Sequence, residues 1–371
     1  MKMKKILVSV VSVLFLSTIL ISCVKDNDPV TPVAPRNMIL TKNVKSQLQA
    51  AADSVFMQVS APGMIALISA DGEGDFIIKR GVSNLASGEP MNENNYFRIA
   101  SNTKTFTGLA ILRLVDEGMI NLDSTISHYL PELNIPNGYL ITIRMLGNMT
   151  SGLFNYSDDE GLWTTFLASN YIMQFPPDTL LAIAFRHPTN FPPGTNWEYC
   201  NTNIVLLGLL MEKVTGRSAK QVIAEKVLQP LNLNNTYWPN TFFLFAPYVH
   251  GYTANTGALM DATNWNPSWG YTAGILISKI SDLKMWAIAV ADGRLLSEQM
   301  KAERFNWVGN HYGFCVMKAG NWIGHPGTMF GYNSHVFYNT VKKITLIILV
   351  NMDTGTPVEY FSDAFRTILD K

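Results

Sequence analysis

The chain has 371 residues, of which 47% are hydrophobic and 15% are charged. This composition provides enough apolar side chains for a sizeable core and excludes an intrinsically disordered protein. Lysine plus arginine equals aspartate plus glutamate, at 28 residues each, so the chain has no net positive field. Because it also lacks a basic run, we expect no nucleic-acid partner.

The beginning of the chain has the pattern of an export signal. Lysines within the first five residues precede the apolar stretch Ile6–Ser22, which is short for a spanning helix of about 20 residues. The stretch leads into Leu20-Ile21-Ser22-Cys23, which resembles a bacterial lipobox; the alternative is an ordinary signal peptide followed by a chance cysteine. We expect residues 1–22 to be a lipoprotein signal peptide and residues 23–39 a flexible, proline-containing tether. The protein would be exported and anchored to a bacterial membrane, in the periplasm or at the cell surface, by a lipid on Cys23.

The spacing of apolar residues predicts strands near both ends of the remaining chain and helices between them. A helix is predicted over 40–59, followed by strands at 64–68 and 76–78 joined by a turn at 71–74. Further predicted helices lie at 101–117, 204–214 and 281–291, and they precede strands at 312–317, 334–338 and 344–350 and a last helix at 357–369. We therefore expect one sheet built from residues 40–105 and 295–371, with 106–294 as a mainly helical insertion.

A serine and a lysine three residues apart, Ser101 and Lys104, form the candidate nucleophilic centre. On a helix this spacing puts both side chains on one face. A lysine in a water-poor site can remove the serine proton or lower the pKa of another base. The spacing alone is not specific, because Ser22–Lys25 and Ser281–Lys284 share it. Ser281 is interpreted as a helix N-cap, and the spacing leaves the same interpretation open for Ser101.

The surroundings of Ser101 favour the catalytic alternative. Residues 96–107, Tyr-Phe-Arg-Ile-Ala-Ser-Asn-Thr-Lys-Thr-Phe-Thr, resemble the active-site segment of the class C β-lactamase and serine DD-peptidase family. The resemblance covers nearly all of residues 40–371 and continues through 114–118, 122–123, 129–131, 141–146, 150–153, 193–194, 199–201 and 206–208. It implies an α/β (α+β) fold of the β-lactamase and transpeptidase type. In that fold an antiparallel sheet, flanked by the terminal helices, meets a mostly helical insertion at the active cleft.

The resemblance also implies which residues complete the centre. Tyr199 and Asn201 match a tyrosine and an asparagine that the family places two residues apart. A phenol has an unperturbed pKa of about 10, so two nearby cations are expected to hold Tyr199 partly as phenolate. It would then be a base for Ser101 and an acid for the leaving group. Asn201 is expected to hold Lys104 and to donate its amide to the substrate carbonyl; a core tyrosine beside an exposed asparagine is the alternative.

A third motif of the family is matched by Gly324-His325-Pro326-Gly327-Thr328. His325 stands where β-lactamases of this family usually have lysine. A histidine at this position resembles certain DD-carboxypeptidases and esterases of the family. It would supply a pH-dependent positive charge near Tyr199. Gly331-Tyr332, which follows, strengthens the likeness to the carboxypeptidases.

The backbone of this third motif is expected to bind the substrate. By the same resemblance, the N–H groups of Ser101 and Thr328 would form the oxyanion hole, and Gly327 is also expected to contact the substrate there. Pro326 departs from the family, which often has a hydroxyl residue there that helps to hold a substrate carboxylate. Proline removes both that hydroxyl and a backbone donor. Specificity for a C-terminal D-alanine is therefore left open.

The predicted protein is a serine hydrolase that forms an acyl-enzyme, and the leading function is a D-alanyl-D-alanine carboxypeptidase-like action on cell-wall peptides. The alternatives are an esterase or D-amino-acid amidase, a β-lactamase, and a non-catalytic surface protein that binds wall fragments or β-lactams. We expect a small peptide, ester or β-lactam substrate and no cofactor. No metal is expected, since the histidines lack metal-ligand spacing, and the oligomeric state is left open. Cys200, in place of the family's serine, and Cys315 are expected to be free and buried, and Met149 replaces a common histidine away from the chemistry.

Overall fold

The central sheet joins the two ends of the part of the chain that the structure describes. This computed structural model describes residues 38–371; the predicted signal peptide, Cys23 and most of the tether lie outside the described residues. Strand β1, Gly63–Ala70, is buried along its whole length and pairs antiparallel with β12, Ile344–Val350. A strand buried on both faces needs a continuous apolar run, which both segments provide. The expected sheet built from both ends of the chain is confirmed.

Eight antiparallel strands of the described residues form this sheet, in the order β3-β2-β1-β12-β11-β10-β9-β8. The remaining strands form two short ribbons, β4 with β7 and β5 with β6. The other bounds are β2 Gly74–Asn84, β3 Glu89–Pro90, β4 Phe97–Arg98, β5 Tyr252–Thr253, β6 Met260–Asp261, β7 Ile277–Ser278, β8 Tyr312–Gly313, β9 Val316–Ala319, β10 Trp322–Met329 and β11 Tyr332–Asn339.

Helices lie on both faces of the sheet, and several more are formed by the chain segment between its N-terminal and C-terminal strands. The terminal helices α1 and α12 pack against each other on one face, because each carries an apolar stripe, for example Leu48 on α1 and Phe361 on α12. The α-helices of the described residues are α1 Lys42–Gln58, α2 Thr103–Asp116, α3 Ile126–Tyr129, α4 Ile143–Gly147, α5 Glu160–Ala168, α6 Pro177–Phe185, α7 Asn201–Thr215, α8 Ala219–Ile223, α9 Tyr271–Gly274, α10 Ile280–Asp292, α11 Glu298–Arg304 and α12 Pro357–Leu369.

Three details differ from the sequence predictions. The strand predicted over 312–317 is interrupted, because Cys315 adopts a φ of 54° and its N–H donates to the carbonyl of Gly147 rather than to a strand. Ser281 is not an N-cap, since α10 is capped by Lys279 and already contains Ser281. Helix α10, predicted as part of the insertion, packs on β10, β11 and β12.

Helix α2, which begins just after Ser101, is fixed by its contact with α10. The rings of Phe106 and Trp286 stack with centroids 3.8 Å apart, and both side chains are fully buried. The indole N–H of Trp286 also donates to the hydroxyl of Thr105 at 2.9 Å. Aromatic packing and a buried hydrogen bond therefore hold the start of α2 against the helix that covers the sheet.

We predict that Phe106→Ala lowers the free energy of unfolding by about 3–5 kcal/mol, because it leaves a cavity beside Trp286. Urea unfolding followed by tryptophan fluorescence measures the change. The matched control is Phe245→Ala, whose ring is 61% exposed, and which should change stability by about 0.5 kcal/mol or less. Equal losses in the two variants would contradict the central role of the Phe106 contact.

Candidate active site

Ser101 lies at a strained turn between a strand and a helix. The chain leaves β4, passes through a short 3-10 turn, Ala100–Asn102, and enters α2. Ala100, directly before the serine, has a φ of 48°, a left-handed conformation that residues other than glycine rarely adopt. Such strain is retained where the surrounding structure holds the backbone firmly. The predicted helix over 101–117 therefore starts with a tighter turn that presents the serine at its beginning.

Hydrogen bonds to β11 and a close backbone approach hold this turn against β10. The side-chain Nδ2 of Asn102 donates to the hydroxyl of Ser334 at 2.9 Å, and that hydroxyl donates to the carbonyl of Ile99 at 2.9 Å. Gly327 is required on β10, because a Cβ there would lie 2.5 Å from the Ile99 oxygen and 2.9 Å from the Ser101 nitrogen. The turn and the strand are thus close enough for their N–H groups to converge.

Lys104 is fully buried next to the serine hydroxyl. Its Nζ lies 2.9 Å from Ser101 Oγ and donates to the carbonyl of Ala273 at 2.8 Å. Within residues 38–371 no carboxylate forms an ion pair with this amine. Burial disfavours the charged form and lowers the pKa of Lys104 to about 7. A large fraction of the amine is therefore neutral near pH 7 and can accept a proton.

The carbonyl of Ala273 is held in place by threonines on neighbouring helices. Thr107 on α2 donates its hydroxyl to the carbonyl of Thr272 at 2.7 Å, and Thr272 donates to Ile204 on α7 at 2.6 Å. Helix α9 is therefore fixed between α2 and α7. Sequence analysis missed Ala273, because a backbone carbonyl leaves no signal in the residue type.

Tyr199 lies beside the Ser–Lys pair but is not a phenolate. Lys104 Nζ is 4.9 Å from the centroid of the Tyr199 ring, and the nearby Ser101 side chain favours the ionised form of the phenol. Burial raises the pKa of Tyr199 above its ordinary value, and this effect exceeds the lowering by the nearby Ser101 side chain. The phenolate predicted from the sequence is wrong. It depended on His325 as a second cation, and burial leaves that imidazole neutral. In the resting site Tyr199 is a neutral hydroxyl that can relay a proton.

Asn201 contributes to the cleft but does not hold Lys104. Its Nδ2 donates to the hydroxyl of Ser157 at 3.0 Å, and its backbone N–H donates to Asn155 Oδ1 at 3.0 Å. The predicted contact with Lys104 is wrong, since Ala273 supplies the acceptor for that amine. Asn201 still lines the cleft with Ser101.

His325 is buried on β10 and carries no positive charge at neutral pH. Burial, and then the nearby Lys104, lower the pKa of His325 to about 3. One ring nitrogen, Nδ1, lies 2.5 Å from the carbonyl of Pro326, and Nε2 lies 3.4 Å from the hydroxyl of Tyr312. These partners fit a neutral ring that donates from Nδ1 and accepts at Nε2. The predicted pH-dependent cation at His325 is therefore wrong.

The candidate catalytic residues Ser101, Tyr199 and His325 line a cleft of about 490 Å³. Its walls include Trp163 and Trp269, which sequence analysis could not distinguish from core tryptophans. Among the described residues that line the cleft, none is lysine or arginine, and Glu359 carries the only formal charge at neutral pH. Thr328, exposed at the mouth, accepts a hydrogen bond from Asn333 Nδ2 at 2.7 Å.

Three further observations concern the described residues outside the catalytic group. Cys200 and Cys315 are free and buried, as expected, and Cys200 donates its thiol to the carbonyl of Leu153 at 3.3 Å. No cluster of three or more histidine, cysteine, aspartate or glutamate side chains within 38–371 is arranged to bind a metal ion. In the same range no helix combines the length and apolar character needed to cross a membrane.

Comparisons with known proteins agree with this geometry. A family model described as "Beta-lactamase" matches residues 42–366. The chain belongs to the β-lactamase family. A solved D-stereospecific amidohydrolase from Streptomyces sp. superposes with a TM-score of 0.77 at 29% identity, covering 86% of this chain and 97% of that protein. The β-lactamase-type fold predicted from the sequence is confirmed.

Two curated relatives extend the comparison. Protein flp of Staphylococcus aureus strain MW2 is 25% identical over 328 residues, which cover 85% of this chain and 64% of that protein. This β-lactamase-family chain thus spans less than two thirds of the length of that relative. Esterase EstB of Burkholderia gladioli is 30% identical over 202 residues, covering 52% of this chain and 51% of the esterase. The family match and the solved amidohydrolase structure together assign this chain the β-lactamase-type fold.

We predict that acylation of Ser101 by an activated ester depends on the protonation of Lys104. Because the neutral amine is the base, kcat/KM should fall about tenfold per pH unit below a pKa of about 7 and level off above it. A pH–rate profile between pH 5 and 9 measures this, and His325, with its pKa near 3, does not titrate in that range. A profile that is flat from pH 5 to 9 would remove Lys104 as the base.

We also predict that Tyr199→Phe lowers the acylation rate by about two to four orders of magnitude, because it removes the hydroxyl proposed to relay the proton beside Lys104. The phenylalanine ring keeps the packing, so the unfolding midpoint should stay close to that of the wild type. Stopped-flow acylation and thermal unfolding of both proteins measure the two effects. Near wild-type acylation in the variant would exclude Tyr199 from the proton path.

Proposed function

We propose that this chain hydrolyses an amide or ester whose scissile bond has no carboxylate beside it, through an acyl-enzyme on Ser101. The observation that carries the proposal is the charge of the cleft. A carboxylate taken out of water needs a cation or several donors to compensate for its lost hydration. The cleft lining has no lysine or arginine among the described residues, and Glu359 would repel a substrate anion.

The residue before Gly327 supports the same conclusion. Pro326 lines the cleft but has neither a side-chain hydroxyl nor a backbone N–H to offer a carboxylate. His325 is neutral, because burial lowers its pKa to about 3. A substrate without a carboxylate, such as a simple amide or ester, needs neither a hydroxyl nor a cation at this position.

The first half of the proposed reaction is attack by Ser101. Its Oγ forms a bond to the substrate carbonyl carbon while its proton moves to the neutral amine of Lys104, 2.9 Å away. The N–H groups of Ser101 and Thr328 would stabilise the oxyanion, and the first N–H groups of a helical turn have no acceptor within the helix. The C–N or C–O bond then breaks, and Lys104 returns the proton through the Tyr199 hydroxyl to the leaving group.

The second half releases the acyl group. A water molecule takes the place of the leaving group and attacks the acyl carbon, its proton passing to the Lys104–Tyr199 pair. The bond from the carbon to Ser101 Oγ breaks, and the serine recovers its proton. The acyl group is therefore released as a carboxylic acid, and the free enzyme is regenerated. No redox partner is required.

The comparisons support an amidase or esterase, and the sequence supports a second candidate. The named neighbours include a D-stereospecific amidohydrolase and an esterase. A DD-carboxypeptidase is favoured by His325 in the third motif and by Gly331-Tyr332 after it, but its substrate ends in the carboxylate that this cleft lacks a cation to bind. A β-lactamase or a non-catalytic binder would share Ser101, so turnover and its products decide among them.

We expect D-phenylalanine amide to be hydrolysed with a kcat/KM at least about tenfold above that of an acylated D-alanyl-D-alanine, and Ser101→Ala to hydrolyse neither. Glu359→Gln, a nearly isosteric change, should raise the relative kcat/KM of the carboxylate substrate by up to about fivefold, as expected for an exposed charge. Product analysis by mass spectrometry measures both. Preferred cleavage of the D-alanyl substrate would establish the carboxypeptidase instead, and a stable Ser101 adduct with penicillin but no turnover of any substrate would establish a binder.

We further propose that the protein is exported and anchored through a lipid on Cys23. The lysine-rich start, the apolar stretch Ile6–Ser22 and the lipobox-like residues 20–23 support this. In a bacterial host the wild type should begin at Cys23, carry a lipid and enter the detergent phase of Triton X-114, whereas Cys23→Ser should remain in the aqueous phase or unprocessed. A mature wild type of unmodified mass would refute the anchor.

A further inference from the structure

A second cavity of about 450 Å³ lies beside the catalytic cleft, and Trp163 lines both. Its walls are mainly aromatic and aliphatic, with Phe166, Tyr171 and Phe330 as the large rings and Met260 at one side. None of the described residues that line it is lysine, arginine, histidine, aspartate or glutamate. A space of this size and character suits an apolar group rather than a charged one.

The partition between the two cavities is a fixed cluster of rings. The indole N–H of Trp163 donates to the carbonyl of Ser157 at 2.7 Å, next to the hydroxyl that accepts from Asn201. The Trp163 ring meets Trp269 and Phe330 edge to face, with centroids 5.1 and 5.4 Å apart. Such contacts leave the cavity preformed, so filling it needs little rearrangement.

The exposed residues that line the second cavity include apolar side chains as well as the polar Thr164, Asn255 and Thr256. Leu167, at the end of α5, is 53% exposed, and Met260 is 36% exposed; both line the cavity. Leu259, next to Met260 in the chain, is 53% exposed. Neighbouring exposed apolar side chains around a concave site are typical of ligand contact.

Strand β10 gives the direction in which a bound substrate would extend. The proton relay must face the leaving group, and Tyr199 lies at the His325 end of β10, with ring centroids 5.9 Å apart. The acyl side of the substrate therefore points the other way, past Thr328 towards Phe330. Phe330 lies two residues after Thr328, just past the end of β10, which is at most about 7 Å along the chain. A short acyl group therefore ends before the second cavity, and a long one reaches it.

We propose that this second cavity binds the far end of a long apolar acyl group carried by the substrate on Ser101. The proposal rests on the amidase or esterase function proposed above and adds the substrate class, which is esters or amides of medium-chain fatty acids or arylalkyl acids. Each methylene buried in the cavity adds binding that an acetyl group cannot reach. The preference should therefore appear as a step in kcat/KM with chain length.

The test is a series of p-nitrophenyl esters from acetate to octanoate, hydrolysed by the full chain and by two helix variants. Thr164 lines the second cavity, whereas its neighbour Thr165 does not; both are exposed on α5, and each donates its hydroxyl to the carbonyl four residues before it. Thr164→Trp should fill the cavity, and Thr165→Trp is the matched control. Ala258→Trp should fill the same cavity from a different segment of the chain.

We expect the octanoate-to-acetate ratio of kcat/KM to be at least about tenfold in the wild type and in Thr165→Trp. It should fall to near unity in Thr164→Trp and in Ala258→Trp. No preference for octanoate in the wild type, or an equal loss in Thr164→Trp and Thr165→Trp, would overturn the proposal. A wild type that hydrolyses acetate without any chain-length preference refutes only the acyl site, whereas a wild type that hydrolyses no ester or amide refutes the proposed function itself.

Discussion

The site around Ser101 depends on one buried amine that forms no ion pair within residues 38–371. Lys104 is 0% exposed, and its Nζ contacts Ser101 Oγ and the carbonyl of Ala273 rather than a carboxylate. A buried ammonium without an ion-pair partner is costly, so the equilibrium shifts towards the neutral amine. An ion pair would have kept Lys104 charged and removed its capacity to accept a proton. The threonine bonds that fix α9 against α2 and α7 therefore hold the acceptor that makes burial of this amine tolerable.

The same desolvation sets the charge of the other catalytic groups. Burial raises the pKa of Tyr199 and lowers that of His325, so the first stays a phenol and the second a neutral imidazole at pH 7. The cleft that these groups line has Glu359 as its only formal charge among the described residues. The small positive charge of this centre supports the proposed amidase or esterase function on neutral substrates. The apolar second cavity supports the proposed site for a long acyl group.

Much of this site could be predicted from the sequence because its motifs are local. Ser101 and Lys104 lie within one helical turn, and the family motifs around Tyr199 and His325 have recognisable neighbours in the chain. The partners could not be predicted, because they come from distant segments or from the backbone: Ala273 is 169 residues from Lys104, and Ser157 is 44 residues from Asn201. The protonation states of Tyr199 and His325 depend on burial in three dimensions. A residue type alone therefore suggested a phenolate and a cation that the folded chain does not contain.

The most direct test of the account is the titration of Lys104 itself. In the chain labelled with 15N-lysine, the side-chain resonance of Lys104 can be assigned by its absence in Lys104→Arg and followed by NMR from pH 5 to 11. The account predicts half-titration at a pKa of about 7, as burial without a carboxylate partner requires. Half-titration near the ordinary lysine pKa of about 10.4 would contradict it, because the amine would then be protonated at neutral pH and could not be the base for Ser101.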